Sequence, residues 1–298
     1  MTKLLLMLAG MLFSCQLFAE TSISNAETKR LYKDHCSVCH GENRLGISGP
    51  ALLPENLRRL RKKNAIKTIT EGRVATQMLP FSKLLSELEI KSLVDYIFTP
   101  LANTPVWNEK EIRASHISYP VDNNISKPVF DADPLNIFLV VESGDHHVTV
   151  LDGDKFEPIH RFASRFALHG GPKYSSDGRY VYFTSRDGWI SKFDLYQLKT
   201  VAEIRVGINA RNSAISSDDR YVIVGNYMPN TLVILDAKDL SLVRVIPVID
   251  KHGKGSRVSA VYDARPRKSV MDDFFFDQDN VFVLSASEKA RVKWLILI

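Results

Sequence analysis

The sequence predicts a multidomain chain, a small all-α domain followed by an all-β propeller, and three observations predict it. Apolar residues recur at helical spacing in Leu88, Leu93, Val94, Ile97 and Phe98, and this pattern stops at the helix-breaking stretch Pro100 to Pro105. Beyond Val129 the chain changes to short β-rich runs punctuated by Asp, Gly and Ser. Those runs repeat. Ser176-Asp177-Gly178-Arg179-Tyr180 returns 41 residues later as Ser217-Asp218-Asp219-Arg220-Tyr221, and Asp152, Asp194 and Asp236 end similar runs at spacings of 42. A period near 42 with several strands per unit is that of a propeller blade.

Length and composition set the bounds. The 298 residues are enough for two domains with their own cores, and 45% hydrophobic with 24% charged residues is ordinary for globular proteins. A net charge of +5, scattered along the chain, gives no footprint for nucleic acid. The one basic run, Arg58-Arg59-Leu60-Arg61-Lys62-Lys63, reads as a solvated helix face, with docking of an acidic redox partner as the second reading.

Residues 1–19 read as a signal peptide: Lys3 gives the positive start, Leu4 to Phe13 the apolar stretch, and Ala19 the small residue before cleavage. Leu12-Phe13-Ser14-Cys15 offers a second processing route, an imperfect lipobox that would leave a lipid anchor on Cys15. Either route places the body of the protein outside the cytoplasm, in the periplasm. The apolar stretch is too short and wrongly flanked for a transmembrane helix, and no later segment reaches that length.

The helical part, 20–102, carries Cys36-Ser37-Val38-Cys39-His40, the C-x-x-C-H pattern of covalent haem attachment. Two thiols three residues apart on a helical turn reach the two vinyl groups along one porphyrin edge. His40 then faces the ring and offers an imidazole nitrogen to the iron. A redox dithiol needs no adjacent His, and a zinc site needs further ligands. Met78, 38 residues after His40 in Gln77-Met78-Leu79-Pro80-Phe81, is the expected sixth ligand; His35, beside Cys36, is poorly placed for the far face. A Met/His pair raises the reduction potential and suits single-electron transfer. Helices are expected from Ala26 to Cys39, with Leu31 and Tyr32 inward, and from Ser86, where Ser86 and Glu89 form a capping box. On these residues, from Thr28 to Leu101, the domain resembles class I cytochromes c. That resemblance gives the Gly49-Pro50 pair a carbonyl that orients the proximal His.

Residues 103–128 read as a linker and 129–298 as the propeller, with expected strands at Phe138–Val141, Val181–Thr184, Val222–Val224 and Thr200–Ile204. About four blades fit, so the ring is expected to be incomplete. The Asp-Gly pairs are tight turns with a structural role. From about Val270 no blade repeat is visible, and the end reads as truncated or frame-shifted.

Phe166-Ala167-Leu168-His169-Gly170-Gly171, Ser185-Arg186-Asp187-Gly188, Ala210-Arg211-Asn212 and Gly225-Asn226-Tyr227 resemble the propeller of cytochrome cd1 nitrite reductases and their relatives. Arg44-Leu45-Gly46 and Gly49 to Leu57 bring the chain nearer the branch that matures haem d1, a dehydrogenase completing the acrylate side chain of that cofactor. The resemblance implies a second cofactor, haem d1, with His169 on its iron. It also implies that Arg186 and Arg211 meet its carboxylates, with Asn212 and Tyr227 as neighbouring hydrogen-bonding groups. Guanidinium and carboxylate suit each other as bidentate partners. The chain departs from the family in three places. Pro172 and Lys173 stand where an arginine follows the axial His, Glu142-Ser143-Gly144 lacks a carboxylate-binding arginine, and the family's distal histidines have no counterpart. The implied partners are a periplasmic electron-transfer protein and proteins of haem d1 maturation or nitrite reduction. Four readings stay open: a d1-haem dehydrogenase, a plain electron carrier with a propeller remnant, a nitrite reductase fragment, and a complete four-bladed scaffold that binds a partner protein. No catalytic residue is assigned.

Overall fold

The structure, a computed structural model, describes residues 23–103, 105–122, 124–216, 218–249, 253–263 and 281–285. The expected signal peptide, the lipobox at Cys15 and most of the chain beyond Val270 lie outside these residues.

Four helices build the first domain: α1 (Asn25–His35), α2 (Ser37–His40), α3 (Lys62–Glu71) and α4 (Glu87–Phe98). Ser24 opens α1 by accepting the Glu27 N–H, and Leu31 and Tyr32 are buried on its inner face. The single helix expected over Ala26–Cys39 is instead broken at Cys36. There the N–H still closes onto Tyr32 O, but the Cys36 carbonyl starts a new turn that receives the His40 N–H at 3.0 Å. Ser86 and Glu89 form the expected capping box, which satisfies two of the orphan donors at the start of α4. Ile90 takes the innermost place with Leu93, Val94 and Ile97, while Leu88 and Phe98 are only half-buried. The other end of α4 is closed by Arg44, 1% exposed, whose Nη1 donates to Tyr96 O at 2.5 Å and Nη2 to Thr99 O at 2.9 Å. A cation on the carbonyl end of a helix is the favourable polarity.

The segment read as a linker is not a free tether. It holds α5 (Glu109–Ala114), again opened by a capping box, and β1 (Ile117–Ser118), which pairs with β8 (Lys199–Arg205) of the propeller. Ile112 of α5 is fully buried in the largest core cluster of the molecule. Six residues with one strongly apolar position are too short to show in a periodicity search, and so the segment looks featureless in sequence.

All strand pairs are antiparallel. The first sheet is β2 (Ile137–Glu142), β3 (His147–Asp152) and β4 (Glu157–Ala163). The second sheet runs β1-β8-β7-β6-β5, with β5 at Lys173–Tyr174, β6 at Tyr180–Thr184 and β7 at Trp189–Asp194. The third is β9 (Asn209–Ile215), β10 (Tyr221–Met228), β11 (Thr231–Asp236) and β12 (Leu242–Pro247), and the fourth pairs β13 (Val258–Asp263) with β14 (Val281–Ser285). Apolar clusters fill the spaces between successive sheets, as Val150 and Phe183 do between the first and second, and Ile223 and Val261 between the third and fourth. The first three sheets keep the period, with β2, β6 and β10 starting at Ile137, Tyr180 and Tyr221, and the four sheets form the arc of a propeller. The strand Val281–Ser285 lies beyond Val270 and pairs with β13, but it starts 60 residues after β10 and so does not keep that period.

The repeated residues explain their own recurrence. Asp152, Asp194 and Asp236 each end a strand and accept the backbone N–H two residues on, at 2.9, 2.8 and 2.7 Å. Asp177 and Asp218 each accept a serine hydroxyl and the N–H of the following arginine. These are Asx turns, which specify the hairpin locally. Because α5 is anchored by a single buried side chain, Ile112→Ala is expected to lower stability by about 2–5 kcal/mol, read as a shift of the denaturant midpoint.

Candidate functional site

Cys36, the N-cap of α2, and Cys39 and His40 within it share one helical turn, closed by the His40 N–H on Cys36 O. Both cysteines are free thiols, half-buried. Burial, reinforced by Cys39 alongside, pushes the Cys36 thiol up to about 12, the opposite of the lowered value of a redox-active dithiol. Among the described residues no group of three or more His, Cys, Asp or Glu side chains could share a metal ion, so the zinc alternative has no further ligands. His40 is 8% exposed, and its Nδ1 lies 2.8 Å from Pro50 O. A carbonyl only accepts, so Nδ1 carries the proton and Nε2 keeps its lone pair. Burial, only partly offset by that hydrogen bond, holds His40 below the ordinary histidine range, as the neutral imidazole that ligates metals.

Gly49 makes this arrangement possible: a Cβ there would meet His40 Cε1 at 2.8 Å and Nδ1 at 2.9 Å. Met78 is half-buried against the helical core, on a loop closed by Arg73 N–H donating to Met78 O. His35 stands edge-on to Phe81 at 6.2 Å. The donor set of thiols, neutral imidazole and nearby thioether fits a covalently attached haem.

The propeller repeats the device. His169 lies between β4 and β5, where its N–H donates to Thr184 O at 2.7 Å. Its Nδ1 donates to Arg211 O on β9 at 2.7 Å, again leaving Nε2 with its lone pair. Desolvation and the charges of Arg211 and Arg186 hold His169 below its ordinary value, against the hydrogen bond to Arg211 O. The imidazole lines a cavity of about 310 Å³ together with Val141, Ser143, Leu168 and Phe183. Gly170, at φ +87, lies so close to β9 that a Cβ would meet Asn212 Oδ1 at 2.6 Å.

Of the residues implied by resemblance, His169, Arg211 and Asn212 meet at this point. The Tyr227 ring lies 4.8 Å from the Arg211 guanidinium, and Arg186 stands on the turn between β6 and β7. Asn212 is more structural than the resemblance implied, because its Nδ2 donates to Val261 O on β13 at 3.1 Å. Its Oδ1 is buried without a partner. The cavity, the neutral imidazole, and Arg186 and Arg211, which have no acidic ion-pair partner among the described residues, fit a carboxylate-bearing tetrapyrrole.

Sequence reasoning missed Arg205. This 8% exposed cation gives Nε to Asp187 O at 2.8 Å and Nη2 to Leu45 O of the helical domain at 2.6 Å, with its guanidinium 4.7 Å from the Trp107 ring centre. An arginine ending a β-run carries no signal of such a role. The basic run at Arg58 to Lys63 is solvated as expected, with all five cations exposed, but most of it is not helical. Only Lys62 and Lys63 lie in α3, and the turns before it bring Asn56 Oδ1 to Asn209 Nδ2 at 3.1 Å. Ala51 and Leu53 pack there against Ile208 of the propeller.

A helical C-x-x-C-H domain packed on a propeller arc with a histidine-lined cavity defines a multidomain c-type cytochrome. Residues 132–294 match the family model described as cytochrome D1 heme domain, and residues 24–97 match that of the cbb3-type cytochrome c oxidase subunit III. The chain belongs to the cytochrome d1 haem domain family. Its cofactors are accordingly a covalent haem c on the helical domain and, for the propeller, haem of the d1 type. The chain is 48% identical to the dihydro-heme d1 dehydrogenase of Pseudomonas aeruginosa, over 95% of its own length and 64% of that protein's. Identity to the nitrite reductase of Stutzerimonas stutzeri is 27%, over 83% of this chain and 46% of the reductase. The solved structure described as dihydro-heme d1 dehydrogenase NirN in complex with DHE superposes with a TM-score of 0.75 at 51% identity, covering 91% of this chain and 58% of that one. The chain thus spans roughly three-fifths of these dehydrogenases. No helix among the described residues is long and apolar enough to cross a membrane.

Asp187 generates a pH prediction. Burial outweighs the Arg205 charge and lifts its carboxyl to about 7, from an ordinary 3.8. The folded state therefore binds the extra proton, and stability falls as pH rises between these values. Urea titrations of Asp187→Asn, which cannot ionise, are expected to show a flatter pH dependence there and a relative gain at pH 8.

Proposed function

We propose that the chain is a periplasmic oxidoreductase that dehydrogenates a haem d1 precursor and passes the electrons singly through its own haem c. Cys36 and Cys39 hold that haem, with His40 and Met78 on its iron. The second tetrapyrrole seats over His169, and Arg186 and Arg211 bind its carboxylates. Asn212 backs the His169 loop, and Tyr227 braces Arg211. The observation that carries the reading is His169 itself, a cavity-lining residue whose imidazole is aimed by the Arg211 carbonyl and feels the charges of Arg211 and Arg186, which have no acidic ion-pair partner among the described residues. The 48% identity to a dihydro-heme d1 dehydrogenase supports this substrate over nitrite, whose reductase from Stutzerimonas stutzeri matches at 27%.

Haem c, when bound, supplies a one-electron relay whose potential a Met/His pair holds high. The chain's residues do the rest. Forming a side-chain double bond removes two electrons and two protons, so the relay must be emptied into an external acceptor in each turnover. The acceptor expected is a small electron-transfer protein of the same compartment. The Leu45-Gly46 turn connects the two sites: Gly46 N–H donates to His40 O at 2.9 Å, and Leu45 O receives Arg205, which also holds Asp187 next to Arg186.

Titration of the haem c-loaded chain with haem d1 tests the reading. Co-elution of a d1 band with the c-type α-band is expected, with the d1 band shifted or lost in His169→Ala and the α-band unchanged. A chain that keeps its haem c band and binds no d1 would contradict it.

A further inference from the structure

Several propeller arginines meet carboxylates: Arg165 meets Glu203, Arg179 meets Asp194 at 2.8 Å, and Arg161 meets Glu142 at 2.7 Å. Arg205 gives its donors to backbone carbonyls instead. A further group shares no acidic partner. Arg186, Arg211 and Arg257 of the propeller gather with Arg59 and Arg73 of the cytochrome domain, and none of the five has an ion pair with an acidic side chain among the described residues. The Tyr227 ring lies between two of them, 4.8 Å from Arg211 and 5.0 Å from Arg257, and its hydroxyl is 3.1 Å from Ser259 Oγ.

The two cytochrome-domain members are brought here by docked backbone. Arg59 follows the turn in which Asn56 bonds Asn209, and Glu55 O receives Arg257 Nη2 at 3.4 Å. Arg73 opens the loop that ends at Met78. That loop touches the first propeller sheet, where a Cβ on Gly144 would lie 2.8 Å from Ala75 O and where Gln77 Nε2 reaches Asp145 O at 3.5 Å. Desolvation first, then the charges of Arg211, Arg59 and Arg73, push Arg186 below the usual guanidinium range. Tyr227 is drawn below its ordinary value against its burial, by Ser259 and then by Arg211, Arg59 and Arg257.

Gathering like charges without counter-charges is unfavourable unless an anion completes the site. We propose that Arg59 and Arg73 complete the carboxylate-binding rim of the propeller cavity, so that a tetrapyrrole polycarboxylate seated over His169 ties the cytochrome domain to the propeller. This rests on the reading that the propeller takes a d1-type tetrapyrrole, and it adds the domain that closes over it. Each rim arginine makes a charge-assisted contact with a carboxylate, and the ligand's charge replaces the missing acidic residues. Arg73 then links occupancy of the cavity to the loop that bears Met78.

The test uses the full chain with haem c attached. Haem d1 and coproporphyrin III, a tetracarboxylate without the d1 side chains, are titrated at several salt concentrations into wild type, Arg59→Gln, Arg73→Gln and the double variant. Arg30→Gln, on an exposed ion pair of α1, serves as control. Both rim arginines are exposed, so the variants should fold, as the haem c spectrum will report. Each rim substitution is expected to weaken binding about tenfold and to reduce the salt dependence, while the control does neither. Ligand should also slow amide exchange over residues 73–78 in wild type and not in Arg73→Gln. Haem d1 bound equally by wild type and double variant, with the same salt dependence, would overturn the rim and leave the d1 reading standing. Coproporphyrin III bound through Arg59 and Arg73, with haem d1 rejected, would support the rim and remove the d1 reading. A wild type that binds neither overturns both.

Discussion

The arrangement of the two domains depends on one buried cation. Arg205 ends β8 with its side chain in the seam, and its donors go to backbone carbonyls of three segments: Asp187, Gly207 and Leu45. Its own carbonyl accepts the Trp107 indole N–H at 2.9 Å and the Ser115 hydroxyl at 3.2 Å. A guanidinium has five donors in a fixed fork, so meeting them with carbonyls fixes the relative position of everything that contributes one. The attachment-loop turn, the α5 segment and the hairpin bearing Arg186 are thereby placed together. A lysine would present its three donors from one atom, without the spread between Nε and Nη2 that reaches both Asp187 and Leu45.

With the seam fixed, the same local device serves both candidate iron sites. His40 and His169 each have Nδ1 tied to a backbone carbonyl, and each has a glycine beside it where a side chain has no room. Such a bond sets the tautomer and the ring plane before any ligand arrives, which is the usual service of a metal ligand's outer neighbours. Both imidazoles are held neutral by their surroundings.

How much of this could be read from the residues depended on how local each feature is. The C-x-x-C-H turn, the capping box at Ser86 and the strand-ending Asp152, Asp194 and Asp236 are fixed by neighbours a few positions away, and their sequences show it. Val281–Ser285 went unseen because its repeat words are absent, although the pairing with Val258–Asp263 follows the pattern of the earlier blades. The α5 segment hid because one buried isoleucine gives no period. Arg205, Arg59 and Arg73 were invisible for a different reason: their roles exist only after the two domains meet, across 160 residues in the case of Arg205 and Leu45. Arg186 and Arg211 were reachable through resemblance alone, since nothing within a β-run marks an arginine that lacks a carboxylate.

Electron flow between the two sites is the central claim, and single-turnover absorbance tests it most directly. The oxidised chain, loaded with haem c and in at least twofold excess so that two haem c centres can take the two electrons, is mixed anaerobically with dihydro-haem d1 and followed at the haem c α-band. The account predicts that haem c is reduced in the same kinetic phase in which the bound tetrapyrrole changes its spectrum. A tetrapyrrole that binds and is altered while haem c stays oxidised, or one that binds and is not altered at all, would contradict it.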